Sequence, residues 1–319
     1  MRPDSVTVET AARLHFGLLD LRGSSGRRYG GIGAAAPGIS ARVSVERCRS
    51  IEAEGDDAAR AAEFARRFVA HFGIQGGARI VIERAIPSHA GLGSGTQLAL
   101  AIARGLAEIY GIEGSAPAFA RAVGRGRRSA VGTWTFAGGG FVVEGGHRLD
   151  DADATPPLIT RRQFPEQWRC VVAIPDARAG VSGDAEARAF ATLPPPNAGE
   201  VDRVATLVLL RMLPALVEDD IVAFGSALTE VQVINGHWFA AAQGGTFAPG
   251  PSTMLIDRMR EWGAAGVGQS SWGPAVYAVV DGEDLAIDLA DRARAALDGA
   301  GVVHAGPFPS SGARVSRDG

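Results

Sequence analysis

The chain has 319 residues, 46% of them hydrophobic and 21% charged, with a formal net charge of −3. That length predicts two domains with a substantial core, and the mild acidity argues against nucleic acid as a general partner. Apolar runs such as Val171–Ile174 and Ala275–Val280 fall far short of the roughly 20 residues a membrane span needs. No basic and apolar leader is read at the start, and Cys48 and Cys170 are too few for a disulfide framework. These features predict a soluble, cytoplasmic protein without a membrane partner. All 32 basic residues are arginine. The lack of lysine excludes a Schiff-base lysine, a lysine general base and the phosphate-loop lysine pattern. A bound anion must then be held by arginine, histidine, hydroxyls or backbone N–H groups.

Alternation predicts a strand over Val6–Thr10, followed by Arg13–Asp20 and a polar, glycine-rich loop from Gly23 to Gly33. A second strand is predicted over Ala41–Glu46 and an amphipathic helix over Asp57–Phe72. A strand at Arg79–Glu83 runs into a glycine loop and an apolar helix over Thr96–Tyr110. A short helix near Pro117–Gly124 leads to a basic loop and a strand at Gly140–Glu144. The Asp, Pro and Thr content near 150–165 predicts a boundary between domains at 1–160 and 161–319. Beyond it come a strand at Arg169–Ile174 and a loop at Pro194–Asn197. Helices are predicted near 200–217, 219–233, 252–262 and 284–298, with strands near 275–280 and 301–305. The class is α+β.

Between the third strand and its helix lies Ile86-Pro-Ser-His-Ala-Gly91-Leu-Gly93-Ser94-Gly95-Thr96-Gln97. Three glycines allow close backbone approach, and the helix start offers free N–H groups and a positive dipole end to an anion. The spacing is not the dinucleotide G-x-G-x-x-G. A second glycine stretch, Gly263 to Pro274, suggests that both loops face one cleft. In the run Arg121 to Ser129, Arg125, Arg127 and Arg128 sit among flexible glycines, with no acidic residue between Glu113 and Glu144. That run is a second candidate for phosphate.

These stretches resemble the GHMP family of small-molecule kinases. Pro87-x-x-x-Gly91-Leu-Gly93-Ser94 is similar to its phosphate loop, and Gly266-x-Gly268-x-Ser270-x-x-Gly273-Pro274 to its C-terminal glycine motif. The resemblance implies a GHMP-kinase-like two-domain fold, with an N-terminal domain like ribosomal protein S5 domain 2 and a ferredoxin-like C-terminal domain. One branch is more similar still: Arg13-Leu-His15-Phe-Gly-Leu-Leu-Asp20, Gly30-Gly-Ile-Gly33, Gly91–Gln97, Arg127–Thr133 and Gly268–Pro274 resemble the β-ribofuranosylaminobenzene 5′-phosphate synthases. That branch implies condensation of 4-aminobenzoate with 5-phosphoribosyl 1-diphosphate (PRPP), releasing CO2 and diphosphate with the help of Mg2+. It also implies a homodimer and a place at the first committed step of tetrahydromethanopterin biosynthesis. The alternative is an ATP-dependent GHMP kinase. Where such kinases often carry a catalytic aspartate this chain reads Ser129-Ala-Val-Gly-Thr133-Trp134-Thr135, with no acid to deprotonate an alcohol.

With the resemblance come expected roles. Gly91, Gly93, Ser94, Gly95, Thr96, Gln97, Arg127 and Ser129 are expected to hold the PRPP phosphates. Arg13, His15 and Arg128 are expected at the reacting centre, although His15 also reads as a structural histidine. Thr133, Trp134, Gln269, Ser270, Ser271 and Trp272 are expected on the aminobenzoate side, with core packing the other reading of both tryptophans. Asp20 would hold Mg2+ or cap a loop, and Asp184 and Glu186 are alternatives for the metal.

Overall fold

The computed structural model describes residues 3–151, 153–177, 180 and 183–317, leaving aside the side chains of 183–185 and 187. Two long strands open it: β1 (Ser5–Asp20) and β2 (Arg27–Cys48). They are followed by β3 (Glu52–Gly55), α1 (Ala58–Phe72), β4 (Gly77–Arg84), α2 (Ser94–Tyr110), α3 (Ala116–Ala122) and α4 (Val131–Gly138). Next come β5 (Phe141–Glu144), β6 (His147–Arg148) and β7 (Leu158–Arg162). The first sheet has the order β12-β1-β2-β4-β3, with β5 and β6 paired to β2 and β7 to β5; β12 is the C-terminal strand Arg314–Arg317. The second half runs β8 (Trp168–Pro175), α5 (Gly183–Thr192), α6 (Ala198–Leu207), α7 (Leu213–Glu218), α8 (Ile221–Gln243) and α9 (Pro251–Glu261). It continues with β9 (Gly266–Gln269), β10 (Val276–Asp281), α10 (Glu283–Leu297) and β11 (Gly301–Pro307). Its sheet is antiparallel with order β11-β8-β10-β9. Counted within that half the order is 4-1-3-2, with helices after its first and third strands, which is the ferredoxin-like arrangement.

Alternation on the second sheet divides its side chains cleanly. Val171, Ala173, Val276, Ala278 and Val280 pack under α9 and α10. Cys170, Val172, Tyr277 and Val279 face inward and join Leu14, Phe16 and Phe141 of the first sheet in one core with α6–α8. Phe16 and Tyr277 meet with ring centroids 4.8 Å apart, tying the two sheets together. The other face of the first sheet packs on α1–α3, where α2 is buried almost all round because it lies between the sheet and its neighbouring helices.

Three departures from the sequence expectations have physical causes. The stretch Gly23–Gly33, expected as a loop, is strand from Arg27 onward. Glycines and alanines there show no alternation, yet α4 crosses so closely that a Cβ on Gly31 would press on Val131 and Ser129. The helix α4 itself was not expected, since Val131–Gly138 is short and largely apolar on every face. The helices expected near 200–217 form one run, but its middle turn, Val208–Met212, widens to a π-turn just before Pro214, which has no N–H to donate.

β1 carries the feature that matters most for the cleft. Val6 and Val8 point toward α1 and α2, whereas Leu14, Phe16 and Leu18 point into the core on the other side. The register shift between Ala11 and Arg13 makes this switch, because one extra residue moves every later side chain to the opposite face. Arg13 and His15 are thereby turned toward the start of α2.

Candidate active site

Three segments meet at that point. Arg13 donates from its backbone N–H to the Leu92 carbonyl (3.0 Å) and from Nη1 to the Gly91 carbonyl (2.7 Å). The Ser270 hydroxyl donates to the same Gly91 oxygen (2.7 Å) and accepts from the His15 N–H (3.0 Å). Ala275 N–H donates to Ala90. Gly91 makes this junction possible: its φ is +76°, and a Cβ there would overlap the Ser270 carbonyl oxygen. From α8, Gln232 donates to the Phe16 carbonyl and accepts from Gln269 N–H, while Asn235 exchanges two bonds with Leu18. These amides satisfy backbone groups that the bulged end of β1 leaves open.

Two connected cavities open at the junction. The first, about 360 Å³, is lined by Gly91–Thr96 with Arg13, Arg60 and Arg125. Gly93 stands before α2 with φ +73° and offers no side-chain cap; Thr96 and Gln97 N–H donate to its carbonyl, which leaves the Ser94 and Gly95 amides for a ligand. A Cβ on Gly95 would collide with the guanidinium tips of both Arg60 and Arg125, which shows how tightly the two cations gather there. Burial pushes Arg125 down to about 10, helped by Arg60 and Arg67, and its Nε is buried without a hydrogen-bond partner. Arg13 is likewise pushed to about 10 by burial, with Glu186 acting against the shift. Such concentrated, poorly solvated positive charge calls for an anion.

The second cavity, about 240 Å³, is lined by His15, Arg127, Arg128 and Ser129 on one side. Its other wall is aromatic: Trp272 packs edge-on to Phe239 (centroids 4.9 Å) and Phe190 (5.7 Å), and Phe190 to Tyr29 (5.7 Å). Arg13, Thr96, Arg125, Glu186, Ser271 and Trp272 line both cavities. Among the described residues Glu186 is the one carboxylate lining either, and it is engaged by Arg128 Nη1 (3.2 Å) and Trp272 Nε1 (3.2 Å).

Of the residues expected from the sequence, Arg13, His15, Gly91, Gly93, Ser94, Gly95, Thr96, Arg127, Arg128, Ser129, Gln269, Ser271 and Trp272 all line this double cleft. Others are placed elsewhere. Gln97 is fully buried beneath it, accepting from Thr10 Oγ1 (2.8 Å) and donating to the Gly132 carbonyl (2.9 Å). Ser270 is the latch just described rather than a cavity wall. Thr133 is buried within α4, and Trp134 on the same helix donates to the Pro156 carbonyl, away from both cavities. Asp20 is a loop cap: its Oδ1 accepts from the N–H groups of Arg22 (2.5 Å) and Gly23 (3.0 Å). The Asp184 side chain lies outside the described residues. Arg60 was missed because nothing in an amphipathic helix marks one surface arginine as special. Arg125 stood in the quoted basic run, but only the fold separates it from Arg121.

Behind the cleft lies Glu144, fully buried on β5, accepting from Ala130 N–H (3.1 Å) and Gly146 N–H (2.7 Å), with the Ser129 hydroxyl beside it over Gly31. Desolvation raises it to about 7, against those hydrogen bonds. An acid with a raised folded pKa binds its proton more tightly folded than unfolded. Its stabilising contribution is therefore complete below about 4.5 and is lost as pH rises to about 7. Urea unfolding from pH 4.5 to 7 should show Glu144→Gln gaining about 3 kcal/mol relative to wild type across that range. A difference that stays flat would refute the raised pKa.

Comparison with known proteins agrees with this architecture. Residues 58–138 match the family model for the GHMP kinases N terminal domain, and residues 212–299 that for GHMP kinases C terminal. Homoserine kinase from Cytophaga hutchinsonii superposes with a TM-score of 0.75 over 98% of each chain at 17% identity, a likeness of fold. Mevalonate pyrophosphate decarboxylase from Streptococcus pyogenes has a TM-score of 0.69, over 97% of this chain and 98% of that one, at 13% identity. In sequence, the chain is 36% identical to a β-ribofuranosylphenol 5′-phosphate synthase from Methanothermobacter thermautotrophicus, covering 86% of this chain and 88% of that protein. A protein of the same name from Archaeoglobus fulgidus is 33% identical, covering 86% and 87%. With its glycine loop, arginine cluster and two-sheet architecture all in place, the chain belongs to the β-ribofuranosylphenol 5′-phosphate synthase family, built on the GHMP kinase fold.

Proposed function

We propose that the double cleft joins PRPP to 4-aminobenzoate, releasing CO2 and diphosphate, as the first committed step of tetrahydromethanopterin biosynthesis. The observation that carries this reading is the direct junction of an arginine-lined phosphate loop with an aromatic-walled cavity. Diphosphate would lie against the start of α2 with Arg13, Arg60 and Arg125, and the acceptor ring against Trp272 and Phe190. The C1′–O bond of PRPP breaks with its electron pair leaving on diphosphate, where the cationic cluster offsets the developing charge. The ring carbon bearing the carboxylate attacks C1′, and the C–CO2 bond then breaks to restore aromaticity. Atoms and charge balance with no net proton exchange, so the cleft needs no strong base. The work is positioning and electrostatics.

Mg2+ fits this cleft as an ion carried largely by the diphosphate. Among the described residues no three His, Cys, Asp or Glu side chains gather to hold a metal, and Mg2+ commonly uses one or two carboxylates plus substrate phosphates. Glu186, with the hydroxyls of Ser94 and Thr96, would hold it. When bound it would supply further charge neutralisation at the leaving group. Homodimer formation belongs to the same reading; exposed Leu209, Leu210, Val217 and Val222 on the α6–α8 layer support it. For location, the structure adds that no described helix is long and apolar enough to cross a membrane.

The names of the relatives, which specify a phenol product, favour 4-hydroxybenzoate as a second acceptor. The experiment is an assay with PRPP, Mg2+ and each acid labelled at its carboxyl carbon, following CO2 and diphosphate together. Stoichiometric release of both is expected. Release of neither, with phosphorylation of a sugar or amino alcohol by ATP, would overturn the reading. Calorimetry with the Ser94→Ala, Thr96→Val double variant should show PRPP affinity weakened about tenfold or more, since hydrogen bonds to charged groups are worth roughly 1.5–3 kcal/mol. An unchanged isotherm would remove these hydroxyls from the phosphate site.

A further inference from the structure

One buried group near the cleft has no part in binding substrate directly, and its hydrogen bonds lead to one that does. His15 Nε2 lies 3.1 Å from Ser129 Oγ, and that hydroxyl sits beside the Glu144 carboxylate over Gly31, where a Cβ would stand 2.7 Å from Ser129 Oγ and 2.5 Å from Glu144 Oε1; its presence there lowers the pKa of the carboxyl. Once Glu144 is ionised, above its transition at about 7, hydrogen counting gives the direction of the chain. A serine hydroxyl has one hydrogen to donate and two lone pairs with which to accept. Ionised Glu144 is an acceptor only, so it takes the Ser129 hydrogen. Ser129 Oγ accepts from Val131 N–H (3.3 Å), and the remaining lone pair must accept from His15. Nε2 therefore carries the hydrogen. Burial and the neighbouring Arg13 hold His15 well below its ordinary pKa, so the ring is neutral and Nδ1 keeps its lone pair. Among the described residues Nδ1 has no hydrogen-bond partner, and the ring lines the aromatic cavity.

We infer that Glu144 is a positioning residue that acts through Ser129 to hold His15 in the Nε2–H tautomer, so that Nδ1 accepts the para N–H or O–H hydrogen of the acceptor ring. This rests on the proposed reaction. As the ring attacks C1′, the para substituent donates electron density and its hydrogen becomes more acidic. A fixed acceptor stabilises that charge without removing the proton, in keeping with a balance that needs none. The logic is that of a buried carboxylate orienting a catalytic histidine, with a hydroxyl inserted between them.

The test uses full-length protein with 15N-labelled histidine at pH 8, above the Glu144 transition, with the His15 signals assigned by their loss in His15→Gln. In wild type, long-range 1H–15N correlation should show the Nε2–H form. Ser129→Ala leaves the two backbone bonds to Glu144 intact, and Glu144→Gln puts an amide donor against Ser129. Both should move the ring nitrogens toward the other tautomer. They should also lower kcat about ten- to hundredfold, the size of effect seen when an outer partner orienting a metal-bound histidine is lost, with KM for PRPP unchanged within about twofold; Ser129→Thr should restore most of the loss. Unchanged ring nitrogens in both variants would overturn the inference, as would an unchanged kcat. A raised KM for PRPP with kcat intact would overturn it too, by making Ser129 a phosphate ligand. If wild type itself releases neither CO2 nor diphosphate, the proposed reaction falls, and the ring-nitrogen comparison alone upholds or overturns the tautomer relay.

Discussion

Gly91→Ala is expected to cost the protein roughly 3 kcal/mol or more of stability in urea unfolding and, under the proposed function, to remove turnover of PRPP. The left-handed backbone at this position (φ +76°) costs an alanine about 1–2 kcal/mol, and forced overpacking typically adds about 1–3 kcal/mol. Relaxing the clash means moving the Ser270 carbonyl, yet Ser270 is also bonded to His15 and to the Gly91 oxygen itself. The substitution therefore separates the phosphate loop from both β1 and the C-terminal glycine loop. Gly244→Ala is the matching control: its φ is also positive, at +88°, but a Cβ there meets nothing. It should show the backbone cost alone and keep turnover. Equal stability losses in the two variants would mean that the three-segment junction contributes nothing.

Arg13→Gln should lower kcat/KM by about 10²–10³, the loss seen when one preorganised donor is taken from a charge-developing site. Arg13 is the side chain best placed for that effect. It lines both cavities, is half-buried, and is held in orientation by its bond to the Gly91 carbonyl. In the proposed reaction the charge it meets grows as diphosphate departs, so kcat should fall more than KM rises. Arg13→Lys keeps the charge but loses the planar fork, so it should recover only part of the activity. Steady-state kinetics with wild-type-like thermal unfolding would isolate the effect, and kcat/KM within fivefold of wild type would remove Arg13 from the reacting centre.

Much of this site could be read along the chain because its parts are local. The segment Gly91–Thr96 needs only its own glycines, hydroxyls and following helix to present free amides, and it lies where the spacing placed it. The helices over 58–72 and 94–110 and three strands of the second sheet, β8, β10 and β11, announce themselves in the sequence, whereas glycine-rich β9 does not. The strand at 27–33 did not, because glycine and alanine have no side chain with which to show alternation. Trp134 and Thr133 stood beside the basic run in sequence, but the turn of α4 directs them into the fold and away from the cleft.

Non-local contacts decided the rest. No pattern in β1 shows that a register shift near Ala11 will turn Arg13 and His15 toward α2. Nothing near Asp20 distinguishes a loop cap from a metal ligand until the N–H groups of Arg22 and Gly23 are seen to occupy it. Arg60, Arg125, Glu144 and Glu186 come from separate elements, and their electrostatics arise from burial and mutual distance, which are properties of the folded chain alone. Family, fold class and the glycine loop before α2 thus follow from residue order, because conformational preference and spacing are written locally. The direction of each charged side chain, and with it the chemistry of the cleft, follows from packing between segments as much as 255 residues apart, as in the bond from His15 to Ser270.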